Sequence, residues 1–359
     1  MFGTKKQCLG AFFIVWGSET MFEPSKHCST ISNNVSGDFR QNEQAMAEVE
    51  PLDWKEIDVR LGEVEPEIAR EVLLDLLTDD ISPVIALSRL LLALGGAQET
   101  EELLAAVARR WGRPLDPRLR EMAVLLHDHR EGCDRVADML REHPDPLRMS
   151  GPPEEIVATF RRFFDRSVTR NEEASVAAYS LGDPGILSQV TEEVVAQLRA
   201  WDLLGPDRST LEIGCGIGRM QAALSPYVGE AHGIDISPKM VETARRRCAG
   251  LPNVSFSVSS GRDLADFPAE RFDLVYAVDS FPYVHQAGPE VVETHFHEAA
   301  RVLKPGGEFV ILHFSYRDST EEDRAEVRKL SRAAGFTLVM NGAQPFKLWD
   351  GVAFRMRKG

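Results

Sequence analysis

Two patterns of apolar residues divide the chain. From Leu52 to Arg141 apolar residues recur every three or four positions, in segments separated by short polar or glycine-containing connections. This spacing predicts amphipathic helices, and the short connections predict a compact helical bundle. Some helix ends are predicted as well, with Ser82 as an N-cap before Pro83, Gly95 as a stop, and Thr100 as the cap of the next helix.

The second pattern follows a proline-rich linker at His143–Glu155. After two further helical stretches, short apolar runs alternate with helical segments, and the last two runs lie close together, as an antiparallel pair would. This alternation predicts an α/β fold, a Rossmann-like, seven-stranded, mostly parallel sheet with helices on both faces. The seven runs are TLEIG, EAHGIDI, VSFSVS, FDLVYAV, GEFVILHF, FTLVMNG and GVAFRMR.

The domain boundaries follow from these patterns. Residues 1–45 are rich in Ser, Asn and Gln, show no periodicity and are expected to form a poorly ordered leader. The apolar run Leu9–Trp16 is far too short to cross a membrane. Residues 46–148 are expected to form the all-α domain and residues 149–359 the α/β domain, with Met46 as an alternative start.

Charge and cysteine content limit the partners. The net charge of −15 provides no basic surplus of the kind that nucleic-acid phosphates require. The five cysteines are odd in number and include no C-x-x-C pair, as is typical of a reducing cytoplasm. His295 and His297 are two positions apart on a predicted helix, so they face different sides. No metal, nucleic acid or membrane partner is expected.

The stretch LEIGCGIGRM places Glu212 and three glycines directly after an apolar run. Glycines in a strand-to-helix turn indicate either backbone angles or a close approach that a Cβ would block. A pyrophosphate-binding turn has a different glycine spacing, and an acid at the strand end suits a cationic ligand better. Packing of strand against helix is the alternative explanation for the glycines.

Three later stretches add candidate ligand contacts. Asp235 ends the second strand, where an acid can accept hydrogen bonds from ribose hydroxyls, although it could instead cap the Ser237-Pro238 turn. Ser260 and Gly261 in SSGRDL can present polar groups to an adenine edge. FDLVYAVDSFPYVH is a buried strand that emerges into polar and aromatic residues, and ARVLKPGGEFVI follows it.

Together these stretches, in this order, resemble the class I S-adenosylmethionine-dependent methyltransferases over Thr210–Phe314. The resemblance implies that S-adenosylmethionine is the cofactor and that Glu212 faces its positive end while Asp235 takes the ribose. Members of that family often carry Asp at the position of Ser260, which makes the adenine contact there weaker. The cofactor-binding residues that the resemblance implies are Glu212, Gly214, Cys215, Gly216, Gly218, Asp235, Ile236, Met240, Ser260, Gly261, Asp279 and Ser280.

Methyl transfer from a sulfonium needs mainly orientation and a dry site, and a protonated acceptor needs a base in addition. His285 is the first candidate base, and Tyr283, His313 and Tyr316 are the others, although His285 could instead shape the pocket. His313 and Tyr316, near the end of the fifth strand, are candidate substrate contacts. Tyr179 is a third, because the stretch before the core is expected to lie over the cofactor.

The expected function is transfer of a methyl group to a small-molecule O, N, C or S nucleophile by in-line displacement, in the cytoplasm. Two alternatives remain, a protein or RNA methyltransferase and a non-catalytic binding or regulatory protein on a methyltransferase scaffold. The helical domain carries no catalytic cluster, so it is expected to act as a substrate lid, a partner-docking module or the interface of a homodimer.

Overall fold

The computed structural model describes residues 54–62, 64–111, 115–144, 151–317 and 319–359. The expected leader at 1–45 lies outside these residues. The described chain divides into two compact units. A helical unit comprises the described residues up to Arg141 together with residues 178–183, and an α/β unit comprises residues 142–177 and 184–359. Among the described helices, none combines the length and apolarity that crossing a membrane requires.

The helical unit is built from amphipathic helices whose ends follow local chemistry. Ser82 accepts a hydrogen bond from the Ile85 amide, Pro83 opens the helix, and Gly95 ends it in the left-handed conformation. The described helices of this unit are α1 (Trp54–Leu61), α2 (Glu67–Leu77), α3 (Pro83–Leu94), α4 (Ala97–Trp111), α5 (Pro117–Asp128) and α6 (Arg130–Arg141).

The predicted cap at Thr100 is wrong. Helix α4 already begins at Ala97, and Thr100 is fully buried within its first turns. Its hydroxyl donates to the Gly96 carbonyl at 2.7 Å, four residues back. A threonine hydroxyl can bond a preceding backbone carbonyl inside a helix as readily as it caps an amide at the start.

The segment 178–183 returns to the helical unit through a close backbone contact. It contains a short 3₁₀ turn, Ala178–Ser180, and Asp183 pairs with His129 at 3.6 Å. A Cβ on Gly132 of α6 would overlap the Leu181 carbonyl oxygen. Glycine at position 132 is therefore what lets the segment pack against α6.

Gly132→Ala should destabilise the protein by about 3 kcal/mol, because backbone atoms must move to admit the methyl group. The direction of this change in stability is informative, because Gly→Ala on an exposed helix surface stabilises a protein by up to about 1 kcal/mol. The matched control is Gly250→Ala, where a Cβ meets nothing within 4 Å. Urea denaturation followed by circular dichroism measures both, and equal midpoints would contradict the packing role of Gly132.

The α/β unit alternates strands and helices as the sequence pattern predicts. Its helices are α7 (Pro153–Arg170), α8 (Pro184–Ala200), α9 (Arg219–Leu224), α10 (Pro238–Arg247), α11 (Phe281–Gln286), α12 (Pro289–Val302) and α13 (Thr320–Ala333). Its strands are β1 (Ser209–Ile213), β2 (Glu230–Asp235), β3 (Val254–Val258), β4 (Phe272–Val278), β5 (Leu303–Leu312), β6 (Phe336–Ala343) and β7 (Ala353–Lys358).

The seven strands form one sheet in the order β3-β2-β1-β4-β5-β7-β6. The first five are parallel, and β7 runs antiparallel to both β5 and β6. The strand order reverses between β1 and β4, and ligands of open parallel sheets bind outside the carboxyl ends of the strands at such a reversal. The residues after Ile213, Asp235 and Val278 meet at that edge.

Buried aromatic side chains fix the face of the sheet under α11 and α12. Phe281 stacks on Phe314 at 5.5 Å and meets Phe309 edge to face at 5.9 Å. All three are fully buried. This packing holds α11, and hence the loop after β4, against the end of β5.

Candidate functional site

The loop after β1 has glycine where the backbone demands it. Gly214, Gly216 and Gly218 have φ values of 74°, 51° and 77°. Left-handed angles cost a residue with a Cβ roughly 1–2 kcal/mol. Each glycine also faces a side chain of the protein itself, namely Ser280 for Gly214, Val176 for Gly216 and Phe256 for Gly218. Packing against the chain and a special backbone conformation therefore both require these glycines.

The carboxylate of Asp235 joins this loop to the start of α10. Its Oδ2 accepts the Gly216 amide hydrogen at 2.9 Å, and its Oδ1 accepts the Ser237 amide hydrogen at 2.8 Å. Asp235 therefore caps the Ser237-Pro238 turn and also contacts the glycine loop. Burial raises the pKa of Asp235 to about 6, although the two amide hydrogen bonds oppose the shift. Each carboxylate oxygen retains capacity for a further hydrogen bond.

Glu212 lies buried at the end of β1. Its Oε2 accepts from Gln221 Nε2 at 2.6 Å and from the Tyr276 hydroxyl at 3.5 Å. Burial raises the pKa of Glu212 to about 8, the Gln221 hydrogen bond and the charge of Arg219 lower it, and the charge of Asp235 raises it. The two acids predicted to serve one cofactor are therefore close enough to influence each other's ionisation.

The residues predicted for the adenine are partly brought together. Gly261 has φ 74°, and a Cβ there would lie 2.6 Å from Ile236 Cγ2 and 3.0 Å from Val157 Cγ1 of α7. Ser260 is exposed, and its Oγ lies 3.3 Å from Asp263 Oδ1. Ile236, Gly261 and Val157 of α7 therefore lie next to one another. The Ser260 hydroxyl is instead hydrogen-bonded to the Asp263 carboxylate.

Met240 and Cys215 are packed in the interior. Met240 is 1% exposed, with its Sδ 3.9 Å from Ser175 Oγ. Burial raises the pKa of the Cys215 thiol well above its usual range, and the charges of Asp235 and Glu212 add to the shift. Contact of either residue with the cofactor stays a prediction.

The end of β4 carries the next two predicted residues. Ser280 Oγ donates to the Ile213 carbonyl, which ties this loop to the end of β1. Asp279 has φ 56°, a conformation uncommon outside glycine, and its side chain is 10% exposed. Burial raises the pKa of Asp279 to about 7, the charge of Asp350 adds to this, and the charge of Arg219 opposes it.

His313 lies across from Asp279 at the end of β5. Its Nδ1 is 3.5 Å from Asp279 Oδ1, and the Tyr316 hydroxyl is 3.3 Å from the same oxygen. The rings of Tyr316 and Tyr283 meet edge to face at 5.8 Å. The structure therefore gathers Asp279, His313, Tyr316 and Tyr283 into one cluster.

Within the α/β unit, one predicted residue is not brought into this cluster. His285 lies 3.5 Å from Glu326 of α13 and packs on Phe314 at 5.4 Å. Residues two apart on a helix face different sides, so His285 and Tyr283 on α11 diverge. Tyr179 belongs to the helical unit and is buried. Their roles as base and substrate contact stay predictions.

Several residues of the site were not anticipated from the sequence. Asp165 of α7 accepts from Ser237 Oγ at 2.6 Å, and its charge raises the pKa of Asp235. His143 reaches Tyr283 from the linker before α7. Arg219 could have been found, because it directly follows the glycine loop. Asp165 and His143 carry no local signal, since they meet the site only in three dimensions.

The polar groups at the sheet edge fit a cationic ligand. Asp235, Glu212 and Asp279 are carboxyl groups whose pKa burial raises, so the protein holds them in a site where ionisation is unfavourable. A bound cation favours the ionised form of nearby carboxyl groups. The described residues contain no group of three or more His, Cys, Asp or Glu side chains placed to hold a metal ion. His295 is buried and His297 is exposed, so the two histidines face different sides of α12, as their spacing predicts.

Comparison with known proteins agrees with this geometry. Residues 211–311 match the family model described as a methyltransferase domain. The chain is 35% identical over 106 residues to demethylmenaquinone methyltransferase of Tropheryma whipplei (strain Twist), which covers 30% of this chain and 41% of that protein. It is 29% identical over 147 residues to 2-methyl-6-phytyl-1,4-hydroquinone methyltransferase of Synechocystis sp., covering 39% and 44%.

A third relative is the uncharacterised methyltransferase YcgJ of Bacillus subtilis (strain 168), 36% identical over 118 residues that cover 31% of this chain and 43% of that protein. The chain thus spans less than half the length of each of these relatives.

Proposed function

We propose that this chain, whose residues 211–311 form a methyltransferase domain of the class I S-adenosylmethionine-dependent family, transfers the methyl group of that cofactor to a small-molecule nucleophile. The observation that carries the proposal is the anchored carboxylate of Asp235. Both of its oxygens are fixed by backbone amides, one from the glycine loop and one from Ser237, the N-cap of α10, at the edge where parallel sheets bind ligands.

Each part of the cofactor has a matching part of the site. Asp235 would accept hydrogen bonds from the ribose hydroxyls, with Ile236 and Gly261 beside the adenine. Glu212 and Asp279 would favour the positive sulfonium and ammonium groups through their charge. Ser280 holds the loop after β4 against β1, which fixes the distance between the ribose end and the methyl end of the site.

Bound S-adenosylmethionine supplies an activated methyl group on sulfur. The protein then has to hold the acceptor in line with the methyl–sulfur bond and keep water out, and such orientation lowers the barrier substantially. The cluster of Asp279, His313, Tyr316 and Tyr283 is mostly buried, and its burial supports placing the acceptor beside it.

The names of the relatives support a small-molecule acceptor, because two of them act on a demethylmenaquinone and on a hydroquinone. A homodimer through the helical unit stays a prediction.

The test combines binding and transfer. S-adenosylmethionine carrying a labelled methyl group is incubated with the full chain and a deproteinised metabolite extract. The label should enter the small-molecule fraction, and calorimetry should detect binding of both S-adenosylmethionine and S-adenosylhomocysteine. Absence of binding at millimolar cofactor would rule out the enzyme, whereas label appearing in protein or RNA of a whole lysate would redirect the acceptor class.

A further inference from the structure

A continuous row of polar side chains connects the end of β5 to the linker before α7. We call this row the relay, and it consists of His313, Asp279, Tyr316, Tyr283 and His143. The three measured separations are 3.5 Å from His313 Nδ1 to Asp279 Oδ1, 3.3 Å from Tyr316 to the same oxygen, and 3.3 Å from Tyr283 to His143 Nε2. The rings of Tyr283 and Tyr316 meet edge to face, with their centroids 5.8 Å apart, which brings the two side chains together within the row.

Backbone strain is concentrated at one end of the relay. Asp279 and His313 directly follow the adjacent strands β4 and β5, and their φ values are 56° and 77°. Such conformations are sparsely populated by residues that carry a Cβ and persist where the surroundings fix them, often at functional sites. Here they turn both side chains toward each other, because the preceding pair, Val278 and Leu312, is in register across β4 and β5.

The other end of the relay is set by His143. Its Nδ1 is 3.0 Å from the Pro144 carbonyl oxygen, which can only accept, so Nδ1 carries the hydrogen. Nε2 is therefore an acceptor and takes the hydrogen of the Tyr283 hydroxyl. Burial lowers the pKa of His143 to about 4, so the ring stays neutral at physiological pH.

This arrangement gives the Tyr316 hydrogen two alternative acceptors. Because the Tyr283 hydrogen goes to His143, the Tyr283 oxygen can accept from Tyr316. When Asp279 is ionised, its carboxylate competes for the same hydrogen, and when Asp279 is protonated the hydrogen turns to Tyr283. The Tyr316 hydroxyl therefore adjusts to the protonation state of the Asp279–His313 pair.

We propose that His313, paired with Asp279, is the general base that removes a proton from the methyl acceptor, and that Tyr316, Tyr283 and His143 position this pair. The inference rests on the proposed function. The acceptor is then a nucleophile that begins protonated, such as a phenolic hydroxyl. Its proton passes to His313, its electron pair forms the new bond to the methyl carbon, and the carbon–sulfur bond breaks with its electron pair left on sulfur.

The first experiment tests the relay in the protein alone, by an NMR titration of the Asp279 carboxyl carbon in the full chain, assigned with Asp279→Asn. The charged and titratable groups facing Asp279 are His313, Tyr316, Tyr283, Asp350 and Arg219. Tyr316→Phe removes a hydrogen bond to the carboxylate and should raise the pKa of Asp279. Tyr283→Phe leaves the Tyr316 hydrogen to Asp279 and should lower it. An unchanged titration in Tyr283→Phe would overturn the relay.

The second experiment tests the base. His313→Gly keeps the left-handed backbone, which glycine adopts readily, and leaves room for added imidazole. Methyl transfer into the extract should fall by about 10²–10⁴-fold, imidazole should restore part of it, and affinity for S-adenosylhomocysteine should be unchanged. The control is His297→Asn on the exposed face of α12.

Retained transfer in His313→Gly would overturn the base assignment, as would a loss that imidazole does not restore. If the wild-type chain itself transfers no methyl group, the proposed function and the base assignment both fail, whereas the Asp279 titration still decides whether the relay exists.

Discussion

Asp235→Ala should weaken binding of S-adenosylmethionine by at least about 100-fold. Two charge-assisted hydrogen bonds to the ribose would be lost, at about 1.5–3 kcal/mol each, and every 1.4 kcal/mol is about tenfold in affinity. The amides of Gly216 and Ser237 would lose their acceptor as well, so the glycine loop would be held less firmly. Calorimetric titration of the full chain measures the change.

The matched control for this variant is Asp207→Ala, an exposed aspartate in the turn before β1. Circular dichroism and a urea denaturation of both variants separate a loss of binding from a loss of folding. Affinity within the error of the wild type in a folded Asp235→Ala protein would remove Asp235 from the cofactor site.

Binding of S-adenosylmethionine should release protons at pH 7. Burial raises the pKa of Asp279 to about 7 and that of Glu212 to about 8, so both carboxyl groups carry protons in part of the population at this pH. The positive sulfonium favours the carboxylate forms and lowers both pKa values, which expels protons. Affinity should accordingly rise as the pH increases from about 6 to about 8.

The raised pKa values of these buried carboxyl groups also make the stability of the fold depend on pH. A carboxyl group whose pKa is higher in the folded state binds more protons there than in the unfolded chain. The contribution of Glu212, Asp235 and Asp279 to stability is therefore largest below their unfolded pKa values of about 4 and is lost as the pH rises toward 8. Glu212→Gln should flatten this dependence.

Calorimetry at pH 7 in two buffers of different ionisation enthalpy counts the released protons. S-adenosylhomocysteine, which lacks the sulfonium charge, should release fewer. Equal enthalpies in both buffers for S-adenosylmethionine, or equal release for the two ligands, would contradict the assignment of these carboxyl groups to the cationic end of the cofactor.

Much of the α/β unit could be predicted because its signals are local. Apolar runs predict strands whatever their partners, and the Ser237-Pro238 cap depends on neighbouring residues alone, which is why α10 begins where expected. The antiparallel pairing of the last two strands is confirmed for the same reason, since a short connection leaves few alternatives. Thr100 was assigned wrongly because a threonine hydroxyl has two local ways to be satisfied.

The surroundings of the base candidates could not be predicted from the sequence. The sequence places Tyr283 and His285 together after β4, but that stretch is the helix α11, on which residues two apart lie on different faces. His143 is 140 positions from Tyr283, and Asp165 is 72 from Ser237, so no local pattern could pair them. Strand order and helix packing are what bring such residues together.

A crystal structure of the full chain with S-adenosylhomocysteine tests the central claim most directly. We expect the two ribose hydroxyls within hydrogen-bonding distance of the Asp235 carboxylate, and the sulfur between Glu212 and Asp279. A ligand bound elsewhere, or bound at this edge with its ribose away from Asp235, would contradict the account.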